Sequence, residues 1–441
     1  MYKIVGKDHT CCDRLRRRSF LQVGALGLGG LTLPQLLAHR AHANHEDIAL
    51  RKKSVIYCEL GGGPDQFATY DPKPDAPSEY RGAFDVISTK LPGVEFSELM
   101  VRQAQVADKL AIVRSIHHEN SSHKSASHYV QTGYYLTDPN YDWNEMPCIG
   151  SVVSRVIATK RRGVPAYVSL REPMRYGKAA YLGEANNPFQ IAGNPNEKDF
   201  HVDNLDLVEG IDANRLGYRR ALLSQLDARR RIVDGMGVVD ALDQFTLEAF
   251  EMLTNQRVQV AFAIDQEPPE VRDRYGQHQW GQFFLLARRL IEAGVPFVSN
   301  SVFGWDHHNH IEKEMRAKGP PFDQGMAALV EDLYQRGLDR DVLVVAMGEF
   351  GRTPKINPNA GRDHWGSLMS VALSGGGLKV GQVVGKSNPK GEEPMDAPYR
   401  PEDVLAMVYR HLGISVEMTF PDFGGRPRLL LEKHRLIQEL I

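Results

Sequence analysis

The sequence has few cysteines, almost no net charge and no long apolar run. Its 441 residues include four cysteines, too few for a disulfide-stabilised scaffold. The 53 Lys and Arg residues nearly balance the 55 Asp and Glu residues, leaving a net charge of -2. A chain without an excess of positive charge attracts a polyphosphate backbone poorly, so we expect no nucleic acid partner. Without spans of about 20 apolar residues, it is not a polytopic membrane protein.

The beginning of the chain has the pattern of an export signal. Arg16-Arg17-Arg18-Ser19-Phe20-Leu21 precedes a Gly-rich, mildly apolar run over residues 23–37, and the small-x-small triplet Ala41-His42-Ala43 follows. This order is typical of a twin-arginine signal peptide, with a membrane anchor or a buried N-terminal helix as the alternative. We predict a signal peptide over residues 1–43 and no stable membrane span after its cleavage. The mature protein is then periplasmic or on the cell surface.

Short apolar segments alternate with segments of helical periodicity along the rest of the chain. Strands are predicted at 54–60, 110–116, 166–170, 295–303, 341–347 and 369–373. Helices are predicted at 97–108, 147–159, 279–293, 322–336 and 401–412. The alternation predicts an α/β fold with a mostly parallel central sheet flanked by helices. We expect one domain over residues 44–441, with a helical insertion at about 212–266, where strand signals are nearly absent.

Histidines and carboxylates concentrate just after several of these strands. Three groups hold eight of the sixteen histidines: His117, His118, His123 and His128; His307, His308 and His310; and His364. A single histidine would more simply be a surface or core residue, but three clusters after three strands favour a metal site. If the chain is helical after Trp305, then Asp306 and His310 lie on one face and could bind one ion.

The two segments after the predicted strand 341–347 add further polar groups. Glu349 and Arg352 follow this strand, and Arg362, Asp363 and His364 come after a loop. Imidazole and carboxylate ligands suit a divalent cation such as Zn²⁺ or Mn²⁺. The two arginines would suit an anionic substrate, because guanidinium pairs bidentately with phosphate or sulfate. Either arginine could instead form an ion pair that stabilises its loop.

Several motifs together resemble those of the DUF1501 family. They are Gly61-Gly62-Gly63-Pro64 through Tyr70-Asp71-Pro72-Lys73-Pro74, the segment 114–133, Gly304-Trp305-Asp306-His307-His308, Gly348-Glu349-Phe350-Gly351-Arg352-Thr353-Pro354, Gly361-Arg362-Asp363-His364 and Ser374-Gly375-Gly376-Gly377. The resemblance covers nearly the whole chain. It implies an alkaline phosphatase-like fold, because the family is placed with the alkaline phosphatase and sulfatase superfamily.

The resemblance also implies a metal site that is complete and a second that is degraded. Asp306, His310 and His364 are similar to the ligands of one superfamily site, with His307 or His308 as the alternative imidazole. Glu349, Asp363 and His123 would line the second position, where Phe350 replaces an imidazole. No aspartate directly follows the first strand, which leaves Asp65 or Asp71 as substitutes.

The resemblance implies a nucleophile in the segment before Gly133, with several candidate residues. Counting back from Gly133, as in sulfatases, leads to His123, and Ser121, Ser122 and Ser125 offer hydroxyl groups nearby. The expected activity is metal-dependent hydrolysis of a small phosphate or sulfate ester, or of a sulfated or phosphorylated glycan. The alternative is a non-catalytic surface protein that retains the fold and binds a metal or a glycan.

Overall fold

An eight-stranded sheet runs through the centre of the part of the chain that the structure describes. The structure is a computed structural model that describes residues 53–157, 164–198, 200, 202 and 255–441. Residues Lys53–Ile441 form one compact unit, and the predicted signal peptide lies outside the described residues. No helix in the described ranges is long and apolar enough to cross a membrane.

The strands and helices are numbered here in chain order. The strands are β1 (Ser54–Glu59), β2 (Val86–Ser88), β3 (Glu95–Ser97), β4 (Leu110–Ile116), β5 (Tyr167–Leu170), β6 (Phe189–Ile191), β7 (Phe297–Ser301), β8 (Val342–Met347), β9 (Gly351–Arg352), β10 (His364–Trp365), β11 (Met369–Gly375), β12 (Gln382–Val384), β13 (Lys386–Ser387), β14 (Pro394–Asp396), β15 (Thr419–Pro421) and β16 (Pro427–Leu429). The helices are α1 (Ser78–Arg81), α2 (Val101–Gln105), α3 (His123–Thr132), α4 (Ile149–Ile157), α5 (Gln256–Phe262), α6 (Pro269–Tyr275), α7 (Gln279–Ala293), α8 (Ile311–Gln335) and α9 (Pro401–His411).

The central sheet has the strand order β12-β4-β11-β8-β1-β7-β5-β6. All its strands are parallel to one another except β11, which is antiparallel to both β4 and β8. Strands β1 and β8 are buried at every residue, because helices cover both faces of the sheet. Helices α7 and α8 contribute to the core on one face, and α4 and α9 contribute to the core on the other. The predicted mostly parallel α/β fold is confirmed.

The six predicted strands all form and all belong to this sheet. The short strands β6 and β12 were not predicted, because three residues carry too little periodicity to be recognised. Between residues 97 and 108 only α2 is α-helical, since Ser97 ends β3 and Ala107–Lys109 form a 3₁₀ turn. Most of the predicted insertion at 212–266 lies outside the described residues, and α5 lies within its end.

Helix α8 begins eleven residues before the predicted start at Phe322 and passes through Pro320 and Pro321. The sequence pattern places the start after the prolines, because proline removes a helical hydrogen bond and clashes with the preceding turn. Ile311, Met315 and Phe322 are all buried in the same core cluster. Burial of this apolar face stabilises the helix on both sides of the prolines.

The buried imidazole of His411, the last residue of α9, should make the stability of the protein depend on pH. Its ring nitrogens lie 3.1 to 3.2 Å from the carbonyl oxygens of Ser54, Asp341 and Gly376. Burial lowers the pKa of His411 to about 4. As the pH falls below about 6.5, the unfolded chain takes up a proton that the folded chain does not take up until about pH 4. The free energy of unfolding therefore decreases over this interval, by up to about 1.4 kcal/mol per pH unit for this one proton.

Denaturant titrations between pH 4 and 7 would measure this slope. In His411→Gln the slope should be smaller by the contribution of one proton. Equal slopes in the wild type and in His411→Gln would contradict the assignment of this titration to His411.

Candidate metal centre

The polar segments that follow β1, β4, β7 and β8 meet at one edge of the sheet. These four strands point in the same direction, so their carboxyl ends lie side by side. The segment after β7 carries Asp306, and the short hairpin of β9 and β10 carries His364. His364 Nε2 lies 3.0 Å from Asp306 Oδ1. Side chains that are distant in the sequence therefore meet at this edge.

Three imidazole rings surround the carboxylate of Asp306. His123 Nε2 lies 3.2 Å from Oδ2. His308 Nε2 and His364 Nε2 each lie 3.0 Å from Oδ1, and these two nitrogens are 2.9 Å apart. Two N–H groups cannot point at each other, and two lone pairs repel. One of these two nitrogens must carry a proton, or a cation must lie between them.

The other nitrogen of each ring is held by an acceptor outside the cluster. His123 Nδ1 is 2.7 Å from Glu349 Oε1, and His308 Nδ1 is 2.6 Å from Asp363 Oδ1. His364 Nδ1 is 2.9 Å from the carbonyl oxygen of Ser121, which can only accept. Each ring therefore donates its Nδ1–H outward and directs Nε2 toward Asp306. Outer acceptors of this kind orient the histidines of metal sites and fix their tautomers.

The donor set fits a divalent cation. His123, Asp306 and His364 each offer one ligand atom, and these atoms lie within 4.8 Å of one another. Bonds from zinc to imidazole nitrogen and carboxylate oxygen are about 2.0 to 2.2 Å, so small rotations of these partly exposed side chains suffice. Two imidazoles and a carboxylate, with His308 beside them, are ligand types suited to Zn²⁺ or Mn²⁺.

A metal ion and a proton compete for Nε2 of His123 in this cluster. Partial burial would raise the pKa of Asp306, but hydrogen bonds from His123, His364 and Arg352 lower it far below its ordinary range. Burial opposes protonation of His123, but its hydrogen bonds to Asp306 and Glu349 outweigh burial and raise its pKa to about 9. A cation bound at His123 Nε2 must therefore displace a proton.

Arg352 contacts Asp306 from the buried side of the cluster, where a substrate does not reach it. Its guanidinium is fully buried and donates to the carbonyl oxygens of Gly62, Gly63, Trp305 and Arg362. Its Nη2 also lies 2.7 Å from Asp306 Oδ1. Because the side chain is fully buried and each guanidinium nitrogen already has a protein partner, the structure supports the alternative left open by the sequence, in which Arg352 stabilises its surroundings. The residue positions Asp306 instead.

Arg362 has the same kind of role in the neighbouring loop. It is buried, and its guanidinium donates to the carbonyl oxygens of Tyr80, Thr353 and Pro354. Its Nε lies 3.3 Å from Asp65 Oδ2. Of the two alternatives left open by the sequence, the structure supports the loop-stabilising ion pair.

Gly62, in the loop after β1, lies close to both Glu349 and Asp306. Its backbone N–H donates to Glu349 Oε1 and Oε2, at 3.0 Å each. Its φ angle is 111°, and a Cβ atom there would lie 2.6 Å from the backbone nitrogen of Asp306. Only glycine permits both the backbone conformation and this close approach.

Three of the predicted site residues lie outside the cluster. The chain is not helical over residues 305–310, and α8 begins only at Ile311. His310 adopts a left-handed conformation with φ 48° and is exposed, so the expected Asp306 and His310 face does not form. His307 is buried with Nε2 3.2 Å from Lys318 Nζ, and burial lowers its pKa to about 4. Ser122 is exposed at the start of α3.

The second metal position predicted by resemblance has a carboxylate that the sequence analysis missed. Glu59, the last residue of β1, is buried, and burial together with the charge of Glu349 raises its pKa well above the ordinary value. An acid at the end of an otherwise apolar strand was the available signal. Asp65 and Asp71, the expected substitutes, are engaged elsewhere: Asp65 with Arg362, and Asp71 with Lys73.

Phe350, which stands in the sequence where the resemblance predicts an imidazole, packs against the cluster. Its ring stacks on His364 at a centroid distance of 4.4 Å and lies 5.1 Å from the ring of His123. The phenyl group thus packs two of the three imidazoles in place, and it offers no ligand atom. Two carboxylates, of Glu59 and Glu349, lie near these rings.

A cavity of about 310 Å³ opens beside the cluster. Its lining residues are Glu59, Gly61, Gly62, His123, Ser127, Arg175, Phe303, Asp306 and Glu349. Arg175 is exposed, and its guanidinium makes no hydrogen bond or ion pair within the described ranges. Its neighbour Tyr176 has a φ of 58°, a costly conformation for a residue with a side chain. No sequence pattern pointed to Arg175.

Several solved structures are similar to this chain at low sequence identity. Ps i-CgsB in complex with k-i-k-neocarrahexaose is 12% identical, with 83% of this chain and 73% of that chain covered and a TM-score of 0.41. The PsFucS1 sulfatase from Pseudoalteromonas sp. is 13% identical, with 85% and 70% covered and a TM-score of 0.38. The alkaline phosphatase from the Antarctic bacterium TAB5 is 10% identical, with 82% and 98% covered and a TM-score of 0.35.

The sequence itself identifies the family more directly. No curated protein matches the chain. The family described as "Protein of unknown function (DUF1501)" matches residues 52–441, which is nearly the whole of the chain outside the predicted signal peptide and includes all the residues of the cluster. The chain therefore belongs to the DUF1501 family, as its motifs predicted.

Proposed function

We propose that the protein is an exported, metal-dependent hydrolase of phosphate or sulfate esters. The observation that carries the proposal is the convergence of three Nε2 atoms, from His123, His308 and His364, on the carboxylate of Asp306. We infer that His123, Asp306 and His364 hold one Zn²⁺ or Mn²⁺ ion, with His308 as a further imidazole ligand. When bound, such an ion polarises an ester oxygen and promotes ionisation of an attacking water.

The chain's own residues prepare the cluster for this chemistry. Glu349 and Asp363 accept the Nδ1–H groups of His123 and His308, which keeps both rings oriented. Arg352 and the surrounding carbonyl groups fix the position of Asp306. The site is thus preorganised, and little reorganisation is required when the ester binds.

Arg175 is the residue that would bind the anionic group of the ester. It is the cation among the residues that line the 310 Å³ cavity, and its guanidinium has no protein partner in the described part of the chain. A guanidinium can donate two parallel hydrogen bonds to a phosphate or sulfate. The proposed substrates are small anionic esters or sulfated or phosphorylated glycans.

The role of His123 decides between the candidate nucleophiles. If Nε2 binds the cation while Nδ1–H is bonded to Glu349, neither nitrogen is free to accept a phosphoryl or sulfuryl group. We therefore infer that His123 is a ligand and that the nucleophile is a water molecule or a hydroxyl. Ser127 lines the cavity, whereas Ser122 does not.

Export to the periplasm or the cell surface is part of the proposal. It rests on the order of Arg17-Arg18, the apolar run over residues 23–37 and Ala41-His42-Ala43. A folded, metal-loaded enzyme would be a suitable cargo for the twin-arginine route.

A second candidate function is a surface protein that binds a metal or a glycan without turnover. One observation favours it: Phe350, which offers no ligand atom, stands in the sequence where the resemblance predicts an imidazole ligand for a second ion. Without that ion, the site would bring less positive charge to an ester.

Metal analysis and a substrate screen would test the proposal. Purified protein should contain one divalent ion per chain and hydrolyse p-nitrophenyl phosphate, bis(p-nitrophenyl) phosphate or p-nitrophenyl sulfate. His364→Ala should lose the ion and the activity, because one Nε2 of the cluster is removed. His310→Ala is the matched control, since this histidine is exposed and outside the cluster, and it should keep the ion.

The possible outcomes separate the two functions. A tightly held ion without hydrolysis of any ester would favour the binding protein. Loss of the ion in His310→Ala as well as in His364→Ala would overturn the proposed ligand set and restore the sequence-based one.

A further inference from the structure

A stacked pair of aromatic rings, Tyr141 and Trp143, stands on the loop between α3 and α4. The two ring centroids are 4.3 Å apart and their planes are inclined by only 25°. Trp143 is 58% exposed, and Tyr141 is half-buried behind it. One side of the indole therefore packs on Tyr141 while much of Trp143 remains open to solvent. We call this pair the aromatic platform.

The loop that carries the aromatic platform is fixed by buried polar contacts. His128 Nε2 accepts hydrogen bonds from the backbone N–H groups of Glu145 and Met146, at 3.2 and 3.3 Å. The buried Asn144 side chain donates to the carbonyl oxygens of Met146 and Tyr176. A loop held in this way presents Trp143 in a defined orientation. Binding to it then costs little conformational entropy.

Two residues, Lys124 and Tyr176, bind the chain segment that carries the aromatic platform. Lys124, which follows His123 in the chain, donates to the carbonyl oxygen of Asn140 at 3.1 Å and pairs with Asp142 at 2.8 Å. Tyr176, which follows Arg175, donates its hydroxyl hydrogen to the carbonyl oxygen of Tyr141 at 2.5 Å. His123 and Arg175 both line the 310 Å³ cavity. Both residues that hold the platform are therefore next in the chain to a residue of the cavity lining.

We propose that Trp143 stacks on a sugar ring of the substrate, next to the sugar that carries the ester. This inference rests on the proposed hydrolase function and specifies its substrate as an ester of an oligosaccharide. A pyranose ring has C–H groups on its faces and hydroxyl groups at its rim. The C–H face packs on the electron-rich face of an indole, and the hydroxyl rim suits polar surroundings.

The surroundings of the platform favour a sugar over a protein or a membrane. Asp142, which lies between Tyr141 and Trp143 in the chain, forms an ion pair with Lys124 at 2.8 Å, so charges of both signs accompany the platform. A specific protein interface normally buries more than about 1,000 Å² around an apolar centre, whereas the platform is one pair of rings. A membrane surface would be expected to meet several apolar groups and an excess of positive charge.

Direct binding measurements with the metal-loaded full chain would test the proposal. A glycan array with neutral and sulfated oligosaccharides would select a hexasaccharide, whose dissociation constant is then measured by calorimetry. Trp143→Ala should weaken binding at least tenfold, and Trp143→Phe, which keeps an aromatic face, should restore most of it. Phe423→Ala is the matched control, because Phe423 is 77% exposed and does not belong to the platform. It should bind as the wild type does.

Kinetics would distinguish a failure of this inference from a failure of the hydrolase proposal. With an esterified hexasaccharide, Trp143→Ala should raise KM at least tenfold and leave kcat within about twofold. Hydrolysis of p-nitrophenyl esters without any glycan binding would overturn the platform and leave the hydrolase intact. Glycan binding that depends on Trp143, without hydrolysis of any ester, would support the platform and count against the hydrolase. Binding to phosphatidylcholine vesicles or self-association that is lost in Trp143→Ala, in place of glycan binding, would also overturn the platform.

Discussion

Asp306→Asn is expected to abolish tight binding of the divalent ion and, with it, ester hydrolysis. The substitution keeps the shape of the side chain but removes the charge on which three imidazole nitrogens and the Arg352 guanidinium converge. Loss of an outer partner of a metal ligand commonly lowers affinity about 10- to 100-fold. Loss of the carboxylate ligand itself should exceed that range. Metal stoichiometry and a competition titration with a chelator would measure the effect.

Asp363→Asn is the matched control for this experiment. Asp363 accepts the Nδ1–H of His308 at 2.6 Å and lies outside the three-residue ligand group, so its loss should cost about 10- to 100-fold in affinity. Unfolding curves of both variants would show that each is folded. Retention of the ion by Asp306→Asn would contradict the proposed site, and so would an equal loss in both variants.

The second large effect is expected on stability, from Arg352→Met. The methionine fills much of the space but leaves buried carbonyl oxygens of Gly63, Trp305 and Arg362 without their donor. It also leaves the Asp306 carboxylate without its nearest cation. Removing one partner of a buried, hydrogen-bonded ion pair typically lowers the free energy of unfolding by about 3 to 5 kcal/mol. Denaturant titration of the metal-free protein would measure it.

Arg316→Met provides the comparison at an exposed position. Arg316 pairs with Glu98 and Glu312 at 3.0 Å, and its side chain is 48% exposed, so solvent replaces both contacts. Arg316→Met should lower the free energy of unfolding far less than Arg352→Met does. Equal losses in the two variants would show that Arg352 contributes no more than a surface arginine.

The type of fold and the family could be predicted from the sequence alone. Strands such as β4 and β8 were predicted because most of their residues are apolar, and helix α7 because its apolar residues recur with helical periodicity. The DUF1501 motifs were recognisable because they are contiguous. Asp306 and His364 were also identifiable, since both follow predicted strands and strands that point in one direction end at one edge.

Only the tertiary structure decided which side chains meet and which are already engaged. His123 rather than His310 joins Asp306, because α3 and the chain before α8 take directions that local sequence does not encode. Arg352 looked available to a substrate and is instead enclosed by carbonyl groups from two other loops, while Arg175 and Glu59 line the cavity. Composition and spacing report residue type and local periodicity. Burial, hydrogen-bond partners and side-chain direction depend on segments that are distant in the chain, so they appear only once those segments are packed together.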